Sequence, residues 1–126
     1  MIQDRSLVVI ADNTGAKIVN VFSVNGKNKN RYARVGDVIA GSITAVDANS
    51  GVKKGDKVYA VIVRTRKEMR RKDGSYIRFD ENAVVILEKS GKDKKEPKAN
   101  RVFGPIPREV VERGYQKIGS LAPEVV

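Results

Sequence analysis

Between Arg64 and Arg78 the chain carries seven basic residues against Glu68 and Asp73, a net of +5, which is half of its formal +10. Arginine predominates there, and guanidinium groups can bind phosphate bidentately or stack on exposed bases, chemistry a lysine point charge does not share. Further cations gather at Lys27, Lys29, Arg31 and Arg34, at Lys53 and Lys54, and between 89 and 101. Tyr32, flanked by Arg31 and Arg34, and Tyr76 inside the main cluster could stack on a base, or lie partly buried beneath a neighbouring arginine. The lysine run at 92–98 reads more simply as a solvated loop.

Catalysis has little to work with. There is no cysteine and no histidine, so disulfides, thiolate or imidazole zinc sites, cysteine nucleophiles and Ser-His-Asp triads are all impossible. Asp12, Asp37, Asp47, Asp56, Asp73, Asp80 and Glu81 are scattered through turn signatures, without the convergence a carboxylate–metal nuclease needs. Gly26-Lys27 and Gly91-Lys92 lack the upstream glycine of a phosphate-binding loop. No enzyme, metal or cofactor is expected. A pI near 10 in a 126-residue chain points instead to a polyanionic partner, nucleic acid before membrane. The basic segments do not form an amphipathic helix, the apolar runs are too short to cross a bilayer, and the start resembles no signal peptide. A soluble intracellular protein is the expectation.

The elements that must position these cations are mostly strands. The apolar residues are rich in Val and Ile, which favours a mainly β fold, and the length suits a single domain spanning 1–126. Runs at 7–11 and 16–23 flank the turn Asp12-Asn-Thr-Gly15. Gly36-Asp37 and Gly55-Asp56 each precede a Val-rich run, predicting strands over 37–47 and 57–66 that begin from similar turns. That regular spacing suggests a small closed barrel. Apolar residues face both ways within 58–63, so this strand should be central. The run at 83–87 returns to the core. The segment 88–100, with almost nothing to bury, reads as a mobile loop. Pro107 and Gly114 bracket the one good helical signal, within a C-terminal helical segment of about 105–126.

Asp73-Gly74 predicts a two-residue hairpin tip for a ribbon over about 64–80. Arg71 would then lie opposite Tyr76, Arg70 opposite Ile77 and Met69 opposite Arg78. Both faces would carry guanidinium groups that resist burial, so the ribbon should project from the barrel.

Ala60-Val-Ile-Val63, Asp73-Gly74, Phe79, Asn82 and Val85-Ile86 resemble, at matching spacing, the signature segment of the large-subunit ribosomal protein L-fourteen family. Ala11-Asp-Asn-Thr-Gly-Ala16, Arg31-Tyr-Ala33, Val35-Gly-Asp-Val38, Val52-Lys-Lys-Gly-Asp56, Phe103-Gly-Pro105 and Ser120-Leu-Ala-Pro-Glu-Val125 extend the likeness in order along the chain. Asn100 stands where many bacterial members have Thr, and Gly119 where they often have Ile. The resemblance implies a five-stranded β-barrel with a β-ribbon and short C-terminal helices, and a non-catalytic constituent of the large ribosomal subunit, of bacterial or organellar type. Its implied partners are large-subunit rRNA, neighbouring large-subunit proteins and small-subunit rRNA at inter-subunit bridges. It also implies docking of the ribosome-silencing factor at positions matching Arg101, Lys117 and Ser120. For rRNA the expected contacts are Lys27, Lys29, Arg31, Arg34, Lys53, Lys54, Arg64, Arg66, Lys67, Arg70, Arg71, Lys72 and Arg78. The residues alone leave a second reading open, a free-standing single-strand RNA-binding barrel, although such modules rely on strand-face aromatics in which this chain is poor.

Overall fold

The structure is a computed structural model that describes residues 2, 6–24, 32–48, 51–88 and 96–126. Five strands close a barrel in the order β1 (Leu7–Ile10), β2 (Ala16–Val24), β3 (Val38–Val46), β4 (Lys57–Arg64) and β7 (Ala83–Ile86). Four of the five seams are antiparallel; the seam that shuts the ring pairs β1 with β7 in parallel, Val9 beside Ala83 and Ile10 beside Val84. Two further short strands, β5 (Met69–Arg70) and β6 (Tyr76–Ile77), form a separate ribbon between β4 and β7. Helices α1 (Arg108–Glu112) and α2 (Gln116–Leu121) follow.

Alternation decides which side chains fill the ring. In β3, Ile39 and Ile43 point inward while their neighbours are half-exposed, the period-two pattern of a sheet with one wet face. Residues 60–64 and 83–87 are instead buried without interruption. Both faces of these two strands are therefore covered, the second by chain beyond Val102, whose Ile106, Val110 and Ile118 join the same apolar core. Each Ile or Val taken fully out of water contributes about 1.5–3 kcal/mol, so this clasp by the C-terminal segment is a substantial share of the core.

The two Gly-Asp turns are the same device used twice. Asp37 N–H donates to Arg34 O (3.0 Å) while its carboxylate accepts Arg34 N–H (2.8 Å). Asp56 does likewise with Lys53, at 3.1 and 3.0 Å. Gly36 and Gly55 supply the positive φ, 88° and 92°, that such a turn needs at its third residue. In each case a cation at the turn's first position is presented at the start of a barrel strand.

Three expectations need correction. Segment 88–100 is not simply a loop: Pro97 is buried and bridges Leu87, and Lys98 N–H donates to Ile86 O (3.0 Å). Residues 89–95, most of the lysine run, lie outside the described residues. Strand β4 ends at Arg64 rather than 66. The hairpin register is shifted by one: Met69 pairs with Ile77 and Arg70 with Tyr76, while Arg71 N–H donates to Ser75 O (2.8 Å). The tip is a three-residue loop, Lys72-Asp73-Gly74, in which Gly74 at φ 88° is a left-handed closing residue. Asp73 favours this longer loop because its carboxylate accepts both Ser75 N–H (3.0 Å) and Ser75 Oγ–H (2.6 Å).

Candidate nucleic-acid interface

That one-residue shift sorts the ribbon into two faces. Met69, Arg71 and Ile77 are half-buried, whereas Arg70, Lys72, Tyr76 and Arg78 are exposed. Arg71, expected on a free face, is instead a latch. Its Nε lies 2.8 Å from Glu109 Oε1 of α1 in an ion pair, and its terminal nitrogen donates a hydrogen bond to Glu109 Oε2 (3.3 Å). The same nitrogen donates to the main-chain oxygen of Val126 (2.7 Å). The ribbon is docked on its inner side and presents cations only on the other.

Arg64 departs further from expectation. It is 6% exposed and donates to Phe103 O (2.8 Å), Pro105 O (3.0 Å) and Glu81 Oε1 (3.0 Å). The desolvated guanidinium fastens the C-terminal segment onto β4 and has no free face for a phosphate. Arg64 and Arg71 therefore leave the set of expected rRNA contacts for a physical reason: their charge is already neutralised and bonded inside the protein.

The other described members of the set, Arg34, Lys53, Lys54, Arg66, Lys67, Arg70, Lys72 and Arg78, are all exposed. None makes an ion pair with a described residue, the described ion pairs being Lys17–Asp47, Arg64–Glu81, Arg71–Glu109 and Arg113–Asp37. Lys27, Lys29 and Arg31 lie outside the described residues. Tyr76 is 65% exposed and Tyr32 43%, and Tyr76 stands opposite Arg70 rather than Arg71. Arg108, absent from the expected set, is exposed at the start of α1 and lines a cleft of about 350 Å³ with Arg70 and Lys72. Only its place directly after Pro107 could have flagged it, and the cleft exists only once the ribbon is latched to α1.

Several carboxylates serve as structural ties. Asp12 is buried and accepts Thr14 N–H (3.1 Å), Thr14 Oγ1–H (2.7 Å) and Ile86 N–H (2.9 Å), joining the β1–β2 turn to β7. Burial raises its carboxyl above the usual value even though each of these bonds pulls the other way. Asp73 sits below its usual value because of the hydroxyl and then the backbone N–H of Ser75. Burial likewise raises the Tyr115 phenol. Among the described residues no group of three or more carboxylates is placed to hold a metal ion, and no helix is long and apolar enough to cross a membrane.

Arg101, Lys117 and Ser120 are all exposed. Arg101 N–H donates to Asn13 Oδ1 (3.2 Å) and Asn13 Nδ2 donates to Asn100 Oδ1 (2.6 Å), so the 100–102 segment is held against the first barrel turn. Ser120 Oγ–H caps Lys117 O within α2 (2.8 Å).

Fold and surface together define a class: a small basic β-barrel carrying a cationic hairpin, with Asp12, Asp37, Asp47, Asp56, Asp73, Glu81 and Glu109 committed to turns and ion pairs. The family model described as ribosomal protein L14p/L23e matches residues 1–126, the whole chain, and the chain belongs to that family. The family is one of structural, non-enzymatic ribosomal constituents, and the chain's place is accordingly in the ribosome.

Proposed function

We propose that the chain binds large-subunit rRNA through its exposed cations, with the outer face of the ribbon and the two Gly-Asp turns as the principal contacts. The observation that carries this reading is that Arg34, Lys53, Lys54, Arg66, Lys67, Arg70, Lys72 and Arg78 are exposed and free of ion pairs with described residues. Unpaired surface cations at this density repel one another, and phosphate relieves that repulsion while releasing counterions. Arginines fixed on a strand pair lose less conformational freedom on binding than loop lysines do, so the ribbon should supply ordered contacts and the loops diffuse attraction. A closed barrel offers RNA a fixed shape, and folded RNA is mostly recognised by shape.

The same reading extends to neighbouring large-subunit proteins, to bridges with small-subunit rRNA, and to docking of the ribosome-silencing factor around Arg101, Lys117 and Ser120. Family membership supports these roles, and the exposure of the three residues is compatible with the last. Binding of an rRNA fragment measured against salt tests the central claim. Each phosphate neutralised should add roughly 0.7–0.9 to the slope of log K against log salt; a flat plot would refute it. Arg101→Glu combined with Lys117→Glu should abolish silencing-factor binding and leave the rRNA slope unchanged.

A further inference from the structure

A cavity of about 320 Å³ opens between the turn at Arg34-Val35 and the base of the ribbon. That volume is within the range of small-ligand sites. Its lining has two zones. Val35 and Thr65 are buried, and half-buried Met69 packs against the core, so together they offer a slot with an apolar wall. Arg34, Lys67 and Arg70 bring exposed positive charge, none of it paired with a described residue, and Glu68 is the single carboxylate in the lining.

A bare phosphate would engage the cations and leave the slot empty. An apolar peptide side chain would fill the slot and leave the cations unmatched. A nucleotide answers both zones, a flat ring for the slot and a phosphate for the charges. Single-stranded RNA commonly offers such bases, splayed out of their stacks. The polarizable thioether of Met69 suits an aromatic ring. Thr65 Oγ1 already donates its proton to Lys67 O (3.0 Å), so towards a ligand it can only accept. Glu68 is also acceptor-only when ionised. A base edge rich in N–H donors, as in guanine, matches that polarity.

We propose that this cavity receives one unstacked RNA nucleotide, its base against Val35 and Met69 and its phosphate held by Arg34, Lys67 and Arg70. The assignment rests on the rRNA-binding reading, but its test does not. The chain has two methionines, Met1 and Met69, so a ¹³C-methyl-methionine label makes the Met69 methyl a near-unique reporter. Millimolar guanosine 5′-monophosphate added to the full chain should move that signal upfield by ring current, in a saturable titration. Ribose 5-phosphate should not. Arg34→Gln with Lys67→Gln should weaken the guanosine 5′-monophosphate titration at least fivefold without moving the Met69 signal of the free protein. An unmoved methyl, or an equal displacement by ribose 5-phosphate, would overturn the proposal. An rRNA fragment that binds with the expected salt slope yet leaves Met69 unmoved would remove the nucleotide pocket and keep the broader reading. Absent rRNA binding, with the base-dependent shift intact, would do the reverse.

Discussion

Arg64 donates to three acceptors belonging to two segments, the carboxylate of half-exposed Glu81 and the carbonyls of Phe103 and Pro105. Arg64→Met keeps much of the side-chain bulk but strands the carbonyls of Phe103 and Pro105. We expect a loss of about 2–4 kcal/mol, read as a lower denaturant midpoint at unchanged m-value, with the rRNA salt slope unaltered. Asp12 makes a pH-dependent prediction. Its carboxyl is raised by burial, so between the unfolded value and the higher folded value the native state binds more protons than the unfolded chain. The residue's contribution to stability therefore falls as pH rises through that window and is constant above it. Asp12→Asn has no such proton. The stability of the native sequence minus that of the variant should decline across the window and then flatten, as checked by denaturation from about pH 3 to about pH 7. The variant should also be less stable at every pH, because an amide cannot accept from Thr14 and Ile86 N–H together without presenting its own NH₂ to one of them.

At the scale of elements, Arg71 latches the ribbon to α1. Arg71→Ala should release it from α1 and speed amide exchange at Met69–Arg70 and Tyr76–Ile77, while the rRNA salt slope falls by much less than one unit. Arg70→Ala should do the opposite, reducing the slope by roughly 0.7–0.9 and leaving exchange unchanged. The helices meet at another sensitive point: a Cβ on Gly119 would lie 2.5 Å from Val111 Cγ2. Gly119→Ala would ordinarily favour a helix by about 1 kcal/mol, yet overpacking should outweigh that and cost about 1–3 kcal/mol. Adding Val111→Ala should recover part of the loss in a double-mutant cycle. The barrel strands themselves were legible because β-branched runs bounded by turn residues leave few alternatives. The hairpin register was not, since Asp73-Gly74 suits both a two-residue and a three-residue loop and only the Asp73–Ser75 bonds decide between them. Charge clustering also failed to separate Arg64 and Arg71 from their neighbours. Burial depends on Phe103, Pro105 and Glu109, each more than thirty positions away.

For the molecule as a whole, the excess of cations favours attachment over self-association, since like-charged copies repel while a polyanion attracts. The eight exposed sequence-expected contacts that remain could be read from composition and turn placement. The cleft at Arg108 and the cavity beside Val35 could not, because both are made by the ribbon's docking onto distant segments. The parallel seam between β1 and β7 has a consequence for biogenesis. The ring's first strand finds its second partner only in the last strand to be made, so a nascent chain carries β1 and β4 as open edges until β7 emerges from the exit tunnel. Such edges invite pairing with other chains, and closure across so much sequence is slow compared with forming the β2–β3–β4 meander. Released fragments ending at Asn82 should therefore remain protease-sensitive, whereas the full chain, with β7 paired and the C-terminal segment in place, should be protected.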